Sequence, residues 1–161
     1  GQPECSTIMM AVGERSDVLS FVSDPLEQDL HVTGTMAAHL FVSSSAAATA
    51  FTVNVMEMRQ DGTSVNIRDD ITDIRWPDEN STKPYEAGSV VELSLSLLDV
   101  SWMLGAGSRL RVDISSSNFP AYHVHPNTEE PWSKSTEQVK AVQTIYCGGD
   151  YPSRIELPVD Y

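Results

Sequence analysis

Residues 109–116 read Arg-Leu-Arg-Val-Asp-Ile-Ser-Ser, a segment in which every second residue from Leu110 to Ile114 is apolar. Leu110, Val112 and Ile114 fall on one face of an extended chain, because side chains alternate across a strand. The intervening positions are polar and fall on the opposite face. This period of two predicts a half-buried β-strand that covers an apolar core with one side and faces outward with the other.

The same alternation recurs along most of the chain. It is clear at residues 90–97 and 155–159, and further strand candidates are residues 18–23, 36–43, 51–56, 64–68, 71–76 and 142–147. About nine short strands joined by glycine-containing turns, without a long helical pattern, predict an all-β fold: an antiparallel β-sandwich, as a jelly roll or a Greek key. The alanine-rich residues 45–50 could add one helical turn.

Composition bounds the class of protein. The chain has 161 residues, of which 40% are hydrophobic, and this suits one ordinary domain. Ten Lys and Arg against 23 Asp and Glu give a formal net charge of -13. The few cations are scattered, so a nucleic-acid partner is not expected. No apolar run approaches 18 residues, so the sequence predicts no membrane span.

The two ends of the chain raise two further expectations. It begins Gly1-Gln2-Pro3, without an initiator Met or a secretory signal, and is therefore expected to be part of a larger protein. Cys5 and Cys147 lie near opposite ends. A bond between them would close a loop of about 140 residues and stabilise the fold by about 4–5 kcal/mol. Two unrelated thiols remain the alternative, and the compartment stays open.

Chemistry-bearing motifs are weak. A nucleophile elbow needs Gly-x-Ser-x-Gly, which the sequence lacks. His123 and His125 form a His-x-His pair that would point both rings to one face of a strand, near Glu129 and Glu130. That pair is equally explained as a polar interdomain surface. No metal and no cofactor are therefore expected.

A cluster of three aspartates is a second candidate metal site. Asp69, Asp70 and Asp73 could hold calcium, but their spacing is not that of a calcium-binding loop. A solvated acidic turn is the preferred interpretation of these three residues.

Aromatic residues and histidines gather in or beside predicted loops, above all in the irregular residues 119–136. Aromatic residues in loops can stack on sugar rings or can be anchors buried against another domain, and the sequence favours the anchors. A loop of that length in a compact domain is usually functional, a contact surface or poorly ordered. The predicted interface or binding surface comprises Trp76, Trp102, Phe119, Tyr122, His123, His125 and Trp132.

The string Arg109-Leu-Arg-Val-Asp-Ile-Ser-Ser-Ser-Asn-Phe-Pro120 resembles the signature of the C-terminal domain of the X-prolyl dipeptidyl-peptidase, cocaine esterase and α-amino-acid ester hydrolase family. Further matching motifs occur in the family's order over nearly the whole chain: residues 16–26, 32–34, 39–44, 51–52, 61–62, 86–88, 92–93, 127–128 and 152–158. The chain departs from the family's pattern at residues 46–50 and at His123-Val-His125.

The resemblance implies one jelly-roll domain over residues 1–161, similar to galactose-binding domains. In the family this domain follows an α/β-hydrolase domain that carries the Ser, Asp and His triad and a helical cap. No catalytic residue is therefore assigned to this chain, and the upstream hydrolase and cap domains are its expected partners, with a homo-oligomer as a further option. The alternatives are a carbohydrate-binding module, which rests on analogy of fold, and a free-standing protein.

Overall fold

The computed structural model describes residues 8–78, 80–131 and 133–160. Within these ranges the chain forms strands, turns and irregular segments, and no helix. Eleven strands are present there, against the nine or so expected from the sequence. In chain order they are β1 (Ile8–Met9), β2 (Leu19–Val22), β3 (Leu30–Ser44), β4 (Ala50–Met58), β5 (Ser64–Asp73), β6 (Val91–Leu104), β7 (Arg109–Ser115), β8 (Gln143–Gly148), β9 (Tyr151–Pro152), β10 (Arg154–Glu156) and β11 (Val159–Asp160).

The strands form two antiparallel sheets. The first sheet has the order β1-β5-β4-β7-β2. In the second sheet the 15-residue strand β3 is central. β6 pairs along one side of β3, while β8, β10 and β11 pair in succession with the other side, and β9 pairs with β8. The prediction of an all-β antiparallel sandwich is confirmed, whereas the jelly-roll connectivity and the likeness to galactose-binding domains stay predictions.

The core lies between the two sheets and follows the alternation of the sequence. The inward face of the signature segment is buried as predicted, with Val112 and Ile114 only 7% and 5% exposed. Burying an aliphatic or aromatic side chain of this kind contributes about 1.5–3 kcal/mol. The other members of the cluster are Val32, Met36, Ala38, Leu40, Val42, Phe51, Val53, Val55, Ile67, Ile74, Leu93, Leu95, Leu97, Val100 and Leu104.

The outer face of the first sheet is covered as well. β1 and β2 lie at opposite edges of this sheet, so residues 10–18, which join them, cross its outer face. We call residues 10–18 the strap. Arg111 donates to the Met10 carbonyl at 2.7 Å beneath it. Thr52 and Asn54 on the outer side of β4 are consequently buried, although neither is apolar.

Two predicted elements are wrong. Residues 64–68 and 71–76 were expected as separate strands around an acidic turn, but β5 runs without a break through Asp69 and Asp70. Asp69 pairs with Asn54 and Asp70 with Val53 of β4, so the ladder continues where the charges predicted a turn. The alanine-rich residues 45–50 form a bend and the start of β4 rather than a helical turn.

The sequence raised two further expectations, on a membrane span and on a disulfide bond. Within the described ranges, no helix is long and apolar enough to cross a membrane. Cys147 is exposed on β8. Cys5 lies outside the described residues, so the bond between the two cysteines stays a prediction.

Candidate functional site

The longest irregular stretch among the described residues lies between β7 and β8, at residues 116–131 and 133–142, and is tied to the end of β5. We call it the long loop. Arg75 donates to Asp73 through Nε at 2.9 Å and through Nη2 at 2.6 Å. His125 of the long loop places its Nε2 3.2 Å from Asp73 Oδ2. Arg75 also donates to the carbonyl of Glu129 at 3.4 Å. Asp73 therefore joins β5 to the long loop through its contacts with Arg75 and His125.

The tautomer of His125 follows from its contacts. The backbone N–H of Asn127 donates to His125 Nδ1 at 2.9 Å, so Nδ1 carries no proton. Nε2 then carries the proton and donates to Asp73. Both ring nitrogens are engaged, which leaves His125 no free lone pair to act as a general base. Its function in this geometry is to hold the loop.

Asp73 is held in its ionised form. Burial alone would raise its pKa, but the hydrogen bonds from Arg75 and His125 outweigh burial and hold the pKa well below its usual range. A carboxylate with a depressed pKa contributes stability above its unfolded pKa of about 3.9, and that contribution is lost as the pH falls through the folded value.

Replacing Asp73 by asparagine is expected to destabilise the chain by about 1.5–3 kcal/mol at pH 7, because charge-assisted hydrogen bonds to Arg75 and His125 are lost. The variant should also lose less stability than the wild type between pH 7 and pH 3. Urea unfolding at both pH values measures this. Asp150→Asn is the matched control for the loss of a carboxylate, because Asp150 lies in the exposed turn between β8 and β9. Identical pH dependence in D73N and the wild type would contradict the assignment.

Two aromatic residues flank the same part of β5. Tyr122 and Val124 of the long loop line an open cleft of about 320 Å³ that includes Thr72 and Asp73. Trp76, which is 50% exposed, lines a neighbouring cleft of about 450 Å³ that includes the same two strand residues. The structure thus brings Trp76 and Tyr122 to either side of one strand end. We call this region, together with the exposed Phe119, the β5 surface.

The phenol of Tyr122 is kept neutral. Burial, together with the Asp69 and Asp70 carboxylates, raises the pKa of Tyr122 to about 12. Its hydroxyl donates to the carbonyl of Asp69 at 3.4 Å. At neutral pH the group is therefore a hydrogen-bond donor and an apolar ring, not a nucleophile.

Trp102 does not join this surface. It lies within β6, is half-buried against the core and donates from Nε1 to Glu57 Oε2 at 3.2 Å. It is eight residues along β6 from Ser94 of the Trp76 cleft, or roughly 25 Å at the usual rise per residue. Trp102 does lie close to a turn, as the sequence predicted, but it packs against the core of this domain. Trp132 lies outside the described residues.

The two candidate metal clusters are not arranged as the sequence suggested. His123 and His125 lie in the long loop rather than on a strand, and His125 turns to Asp73. Asp69 and Asp70 belong to β5, so the interpretation as a solvated acidic turn is wrong. Across residues 8–78, 80–131 and 133–160, no group of three or more His, Cys, Asp or Glu residues could hold a metal ion.

Sequence reasoning missed a second polar cluster, on the second sheet. His39 Nδ1 lies 3.2 Å from Ser94 Oγ and 3.7 Å from Glu92 Oε1, while its Nε2 lies 3.5 Å from Glu156 Oε1. The register of β3 produces this, because His39 stands opposite Ser94 on one neighbour and Arg154 on the other. No local motif encodes these pairings, so only the assembled sheet reveals them.

This cluster contains a serine, a histidine and a carboxylate, yet it lacks the other parts of a hydrolase. The backbone N–H of Ser94 donates to the carbonyl of Pro77 at 2.7 Å and cannot stabilise an oxyanion. Ser94 lies inside the extended strand β6 rather than on a tight turn that would project its hydroxyl. The Glu156 side chain is 55% exposed, so its contact with His39 is largely solvated. The arrangement is a cross-strand polar network.

Comparison with known families decides what kind of domain carries these features. The family described as the X-Pro dipeptidyl-peptidase C-terminal non-catalytic domain matches residues 1–156. The chain belongs to this family. Its cluster of His39, Ser94 and Glu156 therefore lies in a domain type that is described as non-catalytic.

Individual relatives of this X-Pro dipeptidyl-peptidase C-terminal domain are hydrolases. A cocaine esterase of Rhodococcus sp. (strain MB1 Bresler) is 36% identical over 152 residues, which cover 92% of this chain and 26% of that protein. A crystal structure of an aminopeptidase from a marine sediment archaeon, Thaumarchaeota archaeon, matches with a TM-score of 0.84 at 28% identity, over 92% of this chain and 27% of its own.

An α-amino-acid ester hydrolase structure gives the same TM-score of 0.84 at 28% identity and covers 92% of this chain and 26% of its own. The chain thus spans about a quarter of the length of the relatives that it matches. These relatives are multidomain hydrolases in which the segment matched here is the C-terminal part.

The family signature has a clear structural role in this X-Pro dipeptidyl-peptidase C-terminal domain. Arg111 and Asp113 lie on the outer face of β7, as the alternation predicted, but both are buried, at 3% and 8% exposure. Arg111 donates to Asp113 through Nε at 2.9 Å and Nη2 at 2.6 Å, and also to Ser64 Oγ at 3.0 Å. Asn118 continues the network by donating to Asp69 Oδ2 at 3.0 Å. The signature therefore fastens the strap and the long loop to the first sheet.

Proposed function

We propose that this domain braces an upstream α/β-hydrolase domain and its helical cap in a serine hydrolase of the X-Pro dipeptidyl-peptidase or acyl esterase type. Its multidomain relatives carry names of esterase, aminopeptidase and ester hydrolase activities. In that proposal the described residues of this chain supply neither the nucleophile nor the general base. The chemistry belongs to the upstream domains.

The observation that carries the proposal is the exposure of the Phe119 side chain. Its side chain is 72% exposed on a loop that the Asp73, Arg75 and His125 contacts hold against β5. A large apolar side chain presented in water by an ordered segment gains free energy when a partner covers it. Trp76 and Val124, at 50% and 47% exposure, add exposed apolar side chains around the end of β5. We assign the β5 surface as the contact with the upstream domains.

Bracing of this kind acts on catalysis through position. A displacement of about 1 Å in an element that supports an active site can cost on the order of a hundredfold in rate. Burial of one phenylalanine side chain supplies about 1.5–3 kcal/mol toward holding the domains in register. The same surface could instead pair two copies of the chain, and sedimentation velocity of the full-length polypeptide distinguishes the two assemblies.

Phe119→Ser in the full-length polypeptide that carries this chain is expected to lower kcat/KM by about tenfold or more, because the contact that positions the active site is weakened. The measurement is hydrolysis of an X-Pro anilide and of a phenyl ester. The same substitution should leave the urea midpoint of the 161-residue chain unchanged, since Phe119 is exposed there.

Leu19→Ser is the matched control for this experiment. Leu19 is 50% exposed on β2, at the edge of the first sheet opposite β1 and β5. Its replacement should leave kcat/KM within about twofold of the wild type. Equal losses in the two variants would contradict a specific role for the β5 surface.

The 161-residue chain alone is expected to hydrolyse neither p-nitrophenyl esters nor X-Pro anilides. Ser94 has its backbone N–H occupied by Pro77 and has no oxyanion site of its own. The measurement is turnover at high protein concentration, for the wild type and for Ser94→Ala. Turnover that a serine-directed inhibitor and S94A both abolish would overturn the proposal.

A further inference from the structure

β6 carries a bulge in its pairing with β3. Thr35 pairs with Asp99 and Ala37 with Ser96, so Leu97 and Leu98 together stand opposite the single residue Met36. Leu97 is fully buried, whereas Leu98 is the extra residue and is 69% exposed. We call Leu97–Asp99 the β6 bulge.

The backbone of Leu98 lies in the left-handed region, with φ at 61°. A leucine in this region brings its Cβ close to the following carbonyl, whereas glycine and asparagine adopt it at lower cost. The position thus holds a residue that fits its backbone poorly and that gains little from burial among the described residues. Outliers of this kind occur preferentially at functional sites.

Contacts on both sides fix the bulge. Arg68 donates to the carbonyl of Asp99 from Nε at 3.2 Å and from Nη2 at 2.7 Å. On the other side, Thr35 Oγ1 donates to Asp99 Oδ1. The backbone that presents Leu98 is therefore held in place before any partner arrives, which lowers the entropy that binding must remove.

The bulge lies on the side of the sandwich where the described chain begins. β6 pairs with β3 alone among the described strands and forms an edge of the second sheet, next to β5 of the first sheet. Ile8 pairs with Val65, three residues before Arg68 on β5, or about 10 Å along the strand. The described chain therefore enters the fold at Ile8, about 10 Å along β5 from the arginine that contacts the bulge.

The size of the relatives indicates what covers this side. The matched segment is 26% or 27% of their length, so about three quarters of each relative lies outside it. The bulge also continues the β5 surface, because Ser94 and Ser96 of the same strand β6 line the cleft that contains Trp76. One partner could cover both regions.

We infer that Leu98 is an anchor of the interdomain contact, whose side chain inserts into an apolar pocket of the upstream hydrolase and cap part of the same polypeptide. The inference rests on the proposed function and adds a second contact next to the β5 surface. A few fully desolvated anchors carry most of the binding free energy of an interface. An exposed apolar side chain on a fixed backbone can enter such a pocket without a change in the fold of this domain.

Leu98→Asn tests the inference, because asparagine accepts a positive φ and removes the apolar knob. In the 161-residue chain the urea midpoint should stay the same or rise. In the full-length polypeptide the variant should lower kcat/KM for an X-Pro anilide about tenfold and make the domain boundary more sensitive to protease. Leu19→Asn, at an exposed leucine on the opposite edge, is the control and should do neither.

Three results would overturn the inference, and they differ in what else they affect. Loss of stability in L98N of the 161-residue chain would show that Leu98 serves the isolated fold. A full-length L98N enzyme that behaves as the wild type while F119S fails would end the inference and leave the proposed function standing. Wild-type behaviour of both variants would end the proposed function as well.

Discussion

Replacing Arg111 by methionine is expected to lower the free energy of unfolding of the 161-residue chain by about 3–5 kcal/mol. Arg111 is 3% exposed and donates to Asp113, Ser64 and the Met10 carbonyl. Methionine keeps most of the volume but leaves the Asp113 carboxylate buried without its cation. An uncompensated buried charge is among the most destabilising changes in a protein interior. Urea unfolding followed by tryptophan fluorescence measures the effect.

The chain offers a closely matched control for that variant. Arg154 and Glu156 repeat the same spacing on the strand β10, with Nε 3.0 Å from Oε1, but their side chains are 47% and 55% exposed. Exposed pairs contribute about 0–1 kcal/mol, so Arg154→Met should change stability little. Removing both charges of the buried pair, in R111M with Asp113→Ala, should cost less than R111M alone. A loss in R111M no larger than in R154M would contradict the assigned role of the pair.

Phe51→Ala is expected to destabilise the chain by about 3–5 kcal/mol, the usual cost of truncating a fully buried phenylalanine. Phe51 is 1% exposed on β4 and is the largest of the fully buried side chains. It also lines a cleft of about 320 Å³ beside Ile114 and Gln143, so truncation enlarges existing space rather than allowing the walls to close. The urea midpoint and the melting temperature measure the loss.

Phe51→Leu separates the loss of apolar contact from the enlargement of the cleft. Leucine restores most of the apolar contact and should recover at least half of the lost stability. β4 lies between β5 and β7 in the first sheet, so a position at a sheet edge is not an alternative explanation for a small effect. A cost below about 1 kcal/mol for F51A would mean that the two sheets are not packed through this residue.

The fold class could be predicted from the sequence because alternation with a period of two is a local property. Val112 and Ile114 face the core where the pattern placed them. The failures arose where distant segments changed the environment. Asp69 and Asp70 continue β5 in its ladder with β4, and Asn118, 49 residues from Asp69, donates to the Asp69 carboxylate. Charge in the sequence predicted a turn, and a partner from the long loop made a strand position acceptable.

The candidate surface could be predicted only in part. Local composition identified the long loop and its aromatic residues, but it could not separate Trp76, which is half exposed, from Trp102, which is bonded to Glu57 of another strand. His39 and Ser94 lie 55 residues apart and meet through strand register. The backbone of Leu98 likewise depends on the pairing of β6 with β3. Such contacts arise from tertiary pairing, for which no short motif exists.

The strap has a consequence for synthesis on the ribosome. Its contact between Met10 and Arg111 spans 101 residues of sequence. Translation adds about 5–20 residues each second, so roughly 5–20 s separate the synthesis of the two partners. During that interval residues 10–18 have no completed sheet to lie on. The first sheet must therefore be completed by β7 before the strap can bind to it. Folding of this part of the domain is completed only after the last third of the chain has been synthesised.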